Sequence, residues 1–359
     1  MLSYILRRLL LVVPTLVGMT ALVFFVMALS PGGTAADLMR GEQGMRPEER
    51  KARAEYLEKR YGLNKPLPVQ YLRWLNKVSP FGVKETGVGF PSFLPLGFKV
   101  PDLGESFTQH RPVIDLIGER LPVTILLNLA SLPLAYAIAI YTGIKAARHR
   151  GKAVDITSGT ILLGLWSFPV ILAGVLLQGY LTNVQYLKWF PTSGLHELEA
   201  YGMPFLPSRQ DAVFIRGWLL DTLWHLVLPI FCLTYPSVAF LSKISRGAIL
   251  DTINADYVRT ARAKGVPENV VLYVHVFRNS LLPLITVLAH LLPGLLAGAV
   301  VVETIFGLPG MGKLIVESVY NRDRELVLST TTVAGVLGLL SYLIADIGYA
   351  IADPRVSYE

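Results

Sequence analysis

Residues 222–242 read "TLWHLVLPIFCLTYPSVAFLS", a run of 21 positions without a single Asp, Glu, Lys or Arg. Wound as a helix at 1.5 Å per residue, such a run crosses a hydrocarbon core of about 30 Å. Five further charge-free runs of similar length occupy residues 9–29, 121–144, 156–182, 280–302 and 326–345. The 359-residue chain is 52% hydrophobic and only 16% charged, with a mean hydropathy of +0.49, a balance that excludes an ordinary water-soluble domain of this size. The expected fold is therefore all-α, with six membrane-spanning helices.

The single cysteine, Cys232, lies inside the fourth span, so neither a disulfide framework nor a thiolate cluster is available, and it reads as a packing residue. Arg7 and Arg8 precede the first span, but its 21 apolar residues exceed the core of a cleaved signal peptide, and it reads as an uncleaved anchor. Orientation follows from Lys and Arg in the short loops. With both termini inside, the inner pieces carry 13 basic residues, against three in each of the outer loops 183–221 and 303–325. Residues 1–29 then form the cytoplasmic N-terminus and first span, 30–120 a large external loop, and 121–359 a core of five spans with a cytoplasmic loop at 243–279.

In the external loop, "RPEERKARAEYLEKRYG" (46–62) reads as a short surface helix, with Pro47 at its first position and Gly62 beyond its end. The segment that follows, from "NKPLPVQYLRWLNKV" to "DLGESF", is rich in Gly, Pro and aromatic residues and reads as loop. A loop of this size suggests a docking surface for an external partner.

"GLPGMGKL" (307–314) is one residue short of a phosphate loop: G-x-x-x-x-G-K is present, but Leu314 stands where a Ser or Thr would bind the metal ion. It also follows a membrane helix rather than a strand, on the side away from the cytoplasmic nucleotide pool. A turn that leads the chain out of the bilayer and back along its surface accounts for the same residues.

The inner loop carries the strongest signal. In "SKISRGAILDTINADYVRTARAKGVPENVVLYVHVFRNSLLP" (242–283), polar and small residues alternate with a helical period from Asn254 to Lys264, and Gly265 ends the run. Asn254 is the expected N-cap, and Asp256 is placed to pair with Arg259 or Thr260. Ala261 and Ala263 allow close approach, while Arg259, Arg262 and Lys264 offer charge to a groove on another protein.

"DYVRTARAKG", followed by His275, Arg278, Asn279 and Pro283, resembles the coupling loop of permease subunits of binding-protein-dependent ABC importers. The whole chain is similar to the first of the two permeases in the dipeptide, oligopeptide and nickel branch. The resemblance extends through "YILRRLLLVVPTL", "GLNKPLPVQYLRWL", "DLGESF", "RLPVTILLNLA", "WFPTSG", "VVVETIFGLPGMGKL", Arg322-Asp323 and the terminal "ADPR". It implies a non-catalytic, multi-pass subunit of the cell inner (plasma) membrane. Such a subunit pairs with a second homologous permease, rests on two cytoplasmic ABC ATPases and receives solute from an external binding protein. ATP and magnesium would be held by the ATPases, with no cofactor, metal or nucleic acid bound by this chain. Asp256, Tyr257, Arg259, Thr260, Ala261, Arg262, Lys264 and Gly265 would form the coupling helix. Where the general importer loop opens with Glu-Ala-Ala, this chain has Arg259, Thr260 and Ala261. Where the peptide branch has Tyr-Pro after Arg-Asp, it has Arg324 and Glu325.

Three ionisable residues, His290, Glu303 and Asp346, fall within or at the ends of spans, where they either line the solute path or pair structurally. Gly294 and Gly298 make a small-residue face suited to close helix packing, within the subunit or against the second permease. Short peptides fit the family best as cargo, although nickel chelates, glutathione and sugars use the same architecture. A secondary carrier working without ATP is the rival reading, and it predicts charged midplane residues and repeated halves that this sequence lacks. A membrane enzyme would need a clustered acid-base or metal set, and His196, Asp221 and His225 are scattered along the outer side.

Overall fold

The computed structural model describes residues 2–29, 65–83, 96–106, 108–210, 213–297 and 299–352, together with Glu48, Glu55, Glu58 and Gly62. Within these, the side chains at 2–9, 83, 96, 210, 213, 289–297 and 345–352 are left undescribed. The expected surface helix at 46–62 and the Gly294/Gly298 face consequently lie outside the described residues or side chains.

In chain order the helices are α1 (Leu2–Leu29), α2 (Leu67–Val78), α3 (Val113–Arg148), α4 (Ala153–Ser167) and α5 (Val170–Leu177). They continue with α6 (Gly217–Ile253), α7 (Asp256–Ala263), α8 (Phe277–Ala297), α9 (Val300–Ile305), α10 (Met311–Tyr320) and α11 (Arg324–Ala352). Three two-stranded antiparallel ribbons interrupt them: β1 (Phe81–Val83) with β2 (Leu96–Phe98), β3 (Glu105–Ser106) with β4 (Arg111–Pro112), and β5 (Ser208–Gln210) with β6 (Val213–Ile215). Among the described residues, five helices are long and apolar enough to cross a membrane, and six spans result if the bent pair α4–α5 counts as one.

That bend departs from the single third span expected at 156–182. The chain turns by 86° between α4 and α5. The cause is Pro169, which has no N–H to donate and forces Phe168 before it into extended backbone (φ −88°, ψ 115°). A break at membrane depth exposes a carbonyl that water cannot reach. Here the Tyr235 hydroxyl of α6 donates to the Phe168 carbonyl at 2.7 Å and satisfies it. The fifth span differs as well: α8 ends at Ala297, and α9 starts again from a non-helical Ala299 (φ −89°, ψ 64°).

The chain divides into two compact units: Met1–Ile5 with Glu119–Val316 and Leu337–Glu359, and Leu6–Gly118 with Glu317–Val336. In the first, α3 and α6 carry a core in three successive layers. Val123, Leu127, Leu226 and Cys232 pack with Val302, Phe306 and Leu308. Ala135 and Ala139 then meet Val238, Leu241 and Leu284. Finally Ile144, Ala147 and Ile249 enclose Val258, Ala261, Val271, Leu272 and Val276. Between the last two layers the Thr142 and Ser242 hydroxyls are 2.7 Å apart, and Gly143 lets α3 approach the Ser245 side chain, where a methyl group would collide.

In the second unit, α2 replaces part of the expected loop. Its Pro66 and Pro68 sit before and within the first turn, where proline is tolerated, and so do not argue against a helix. Gln70, Tyr71, Trp74 and Val78 are buried along one face. Tyr71 donates to the Val17 carbonyl at 2.9 Å and meets Thr20 Oγ1 at 3.0 Å, while Phe24 packs edge-on against the Tyr71 ring at 5.5 Å.

Candidate functional site

The loop at 243–279 folds as a lever held on one side. In α7, Val258 and Ala261 are buried in the third core layer, whereas Asp256, Tyr257, Arg259, Thr260, Arg262 and Ala263 face outward. Spacing of i and i+3 places the two buried residues on one stripe and leaves the rest of the helix presented. The side chains of Asp256 and Arg259 are 99% and 70% exposed and pair at 3.6 Å. Thr260 donates instead to the Asp256 main-chain carbonyl at 2.9 Å.

The N-cap is Ala255, not Asn254. Because α6 runs on to Ile253, Asn254 is used up as the C-cap of that helix, with its amide reaching back to the Leu250 carbonyl at 3.4 Å. At the other end Gly265 adopts φ +75°, the Gly265 N–H bonds the Arg262 carbonyl at 3.0 Å, and the Val266 N–H bonds the Ala261 carbonyl at 3.2 Å. This pair of bonds around a left-handed glycine is a Schellman cap, and it requires the positive φ that glycine supplies.

Arg262 has a different setting from Arg259. Its Nη2 and Nε donate to the two carboxylate oxygens of Glu268 at 2.8 and 3.1 Å, and Nη1 reaches the Ile253 carbonyl at 3.4 Å. The guanidinium thus ties the end of α6 to the turn after α7. Exposed cationic charge on this face comes from Arg259 and Lys264.

"GLPGMGKL" closes around a carboxylate of its own chain. Glu303 is fully buried: its Oε1 accepts from Thr124 Oγ1 at 2.8 Å and from the Ala299 N–H at 3.0 Å, and its Oε2 accepts from the Lys313 N–H at 3.0 Å. Thr124 Oγ1 in turn accepts the Met311 N–H at 2.8 Å. Gly310 lies so close to this carboxylate that a methyl group would strike it. The loop amides that a phosphate loop would turn to its nucleotide are here engaged by Glu303 and Thr124. The Lys313 ammonium reaches the Gly307 carbonyl at 3.4 Å. His290 lies in α8 and Asp346 in α11, with both side chains outside the described set.

A second carboxylate joins two motifs far apart in sequence. Asp323 Oδ2 accepts from Ser106 Oγ at 2.7 Å, Thr108 Oγ1 at 3.0 Å and the Thr108 N–H at 3.1 Å, while Oδ1 caps α11 through the Leu326 N–H at 3.1 Å. Arg324 and Glu325 are buried beside it, with the Arg324 guanidinium 4.7 Å from the centre of the Phe24 ring.

His196, Asp221 and His225, expected to be scattered, are brought together. Asp221 Oδ2 lies 3.5 Å from His225 Nδ1 and 3.7 Å from His196 Nδ1, and it accepts the Glu197 N–H at 3.0 Å. Asp221 and His225 are one turn apart on α6, a spacing visible in the sequence. His196 arrives from a loop whose return path was not. This cluster seats the 194–206 loop on the start of α6, where the Pro204 and Phe205 carbonyls also accept the free N–H groups of Trp218 and Leu219. Burial against Trp218 pushes the His196 pKa below the usual histidine value, with the Asp221 charge opposing the shift. Among the described residues no group of three His, Cys, Asp or Glu side chains is arranged to hold a metal ion.

Comparison with known proteins extends over the whole length. The family model described as "Binding-protein-dependent transport system inner membrane component" matches residues 135–358, and its N-terminal counterpart matches residues 1–128. The chain is 37% identical over 360 residues to the oligopeptide transport system permease protein AppB of Bacillus subtilis, covering all of both chains. It is 34% identical over 364 residues to the di/tripeptide transport system permease protein DppB of Pseudomonas aeruginosa, again over the full length of both. To the peptidoglycan transport system permease protein YejB of Agrobacterium fabrum it is 32% identical, over 99% of this chain and 98% of that one. The chain is a multi-pass membrane permease subunit and belongs to the family of binding-protein-dependent transport system inner membrane components.

Proposed function

We propose that this permease subunit forms half of the path by which an ATP-driven importer moves short peptides into the cell, and that α7 is the element through which the ATPases act on it. The observation that carries the mechanism is the construction of α7. One stripe, Val258 and Ala261, is locked into the core beneath α3, α6 and residues 271–276, which lead into α8, and the opposite face, led by Tyr257 and Arg259, is left to solvent. A push on that face is transmitted as a rigid displacement of the helix ends it is packed against, which biases a two-state equilibrium of the transporter.

Peptide cargo is supported by the names of the full-length relatives. The basic inner loops support both termini being cytoplasmic, with 30–120 outside. On this reading a second permease completes the path, two ATPases hold ATP and magnesium, a binding protein delivers solute to the outer face, and the chain itself has neither cofactor nor catalytic residue. The test is peptide-stimulated ATP hydrolysis by the assembled complex in proteoliposomes. Tyr257→Ala combined with Arg259→Glu is expected to remove at least about tenfold of the stimulation, equivalent to roughly 1.4 kcal/mol of coupling, without lowering the thermal midpoint. Arg262→Glu, which breaks the Glu268 brace, is expected to lower both. Full stimulation in the double variant would remove α7 from the mechanism.

A further inference from the structure

An open groove of about 650 Å³ runs between α4 and α6. Its polarity changes from end to end. At one end Asp155 and Arg246 form a two-point ion pair (2.6 and 2.7 Å), with Lys243 one turn away. At the other end the rings of Trp166 and Phe240 stack at 5.5 Å. Asp155 and Trp166 are eleven positions apart on one helix, so the groove extends about 16 Å along it.

The charged end carries an excess of positive charge. Asp155 is saturated, since Oδ2 also accepts the Gly151 N–H at 3.0 Å, and its charge is spent on Arg246. The exposed Lys243 ammonium has no acidic partner among the described residues, and the adjoining turn adds exposed Arg148, Arg150 and Lys152. The hydroxyls in the wall are already used by their own helices or by each other. Ser158 donates to the Asp155 carbonyl, Thr160 to the Ile156 carbonyl, and Ser242 pairs with Thr142. A peptide laid here would lose water from its amides and gain no partners for them. A molecule with one anionic group and an aliphatic tail would leave nothing unsatisfied.

We propose that this groove is a site for an anionic phospholipid, with the phosphate at Lys243 and the free edge of Arg246 and an acyl chain lying toward Trp166 and Phe240. Basic residues at the end of an intramembrane groove, on the side where the helices leave the bilayer, match an anionic headgroup in charge and depth. The site is separate from the coupling face of α7 and does not depend on which solute is carried.

The assembled complex, reconstituted in nanodiscs of equal dioleoyl phosphatidylglycerol and dioleoyl phosphatidylcholine and then released for native mass spectrometry, reads out retained lipid directly. The wild type is expected to keep phosphatidylglycerol in preference to phosphatidylcholine, and Lys243→Gln to reduce that preference about fivefold. Gly159 lies in the wall with open space where a side chain would go, so Gly159→Phe plugs the groove without a backbone clash and is expected to remove one retained lipid per copy of this chain. An unchanged lipid ratio in Lys243→Gln, or full retention in Gly159→Phe, would overturn the proposal. So would absence of retained lipid in the wild type, which would mean the partner permease covers the groove, or displacement of the lipid by added trialanine.

Discussion

Removing the Glu303 carboxylate strands three donors at once: the Thr124 hydroxyl and the Ala299 and Lys313 N–H groups. Each buried polar group left without a partner costs about 1–3 kcal/mol, so Glu303→Ala is expected to lower stability by roughly 2–4 kcal/mol once partial relaxation is allowed. Gly310→Ala should act in the same direction, because its methyl group would displace the carboxylate. Lys313→Ala keeps the main-chain bond and should change stability by less than about 1 kcal/mol. Denaturation midpoints of the purified variants check all three. An effect of Lys313→Ala as large as that of Glu303→Ala would mean that the ammonium, not the backbone, holds the loop. The sequence exposes the near-phosphate-loop and the intramembrane glutamate as separate curiosities. That each explains the other depends on a turn that folds 303 back against 310 and 313, and no periodicity encodes that turn.

At the scale of elements, what could be read was what hydrophobic periodicity reports. The helix of the inner loop, its glycine stop and the Asp256–Arg259 pair were legible because each depends on residues within one or two turns. Its start was displaced by one residue because α6 extends past its apolar run and consumes Asn254. The α4–α5 bend was signalled by Phe168-Pro169, yet an unbroken apolar composition hid it, since a broken span and a straight one bury the same residue types. The seating of the 194–206 loop on α6 was not legible, being made of bonds between residues well beyond one or two helical turns apart, from Trp218 to Pro204 and from Asp221 to Glu197. That loop should respond to pH. The folded state disfavours protonated His196, whereas the unfolded chain takes up a proton near pH 6.5. Stability from this contact is therefore fully present above that pH and falls as pH drops through it toward the lower folded value. Asp221 and His225 face the same point, and Asp221 attracts the proton. Hydrogen exchange of residues 196–206, corrected for intrinsic rates, should show faster opening at pH 5.5 than at 7.5, with His196→Phe removing the difference. An identical pH response in His196→Phe would place the titrating group elsewhere.

At the scale of the molecule, the membrane class and the family were accessible because both are spread over hundreds of residues. Six charge-free runs survive any one misread boundary. "DLGESF" and Arg322-Asp323 also prove to be a single structural feature, joined through Asp323 to Ser106 and Thr108. The two departures next to it, Arg324 and Glu325, are buried rather than displayed, so their first effect is on the packing of α11. On the proposed function, a second permease supplies the other half of the path. The most direct measurement is therefore uptake of a labelled tripeptide into proteoliposomes containing the complex purified through a C-terminal tag on this chain. Uptake is expected to require ATP and the external binding protein and to be lost in the Tyr257→Ala, Arg259→Glu variant. Uptake by this chain alone, without ATP, would contradict the proposed function.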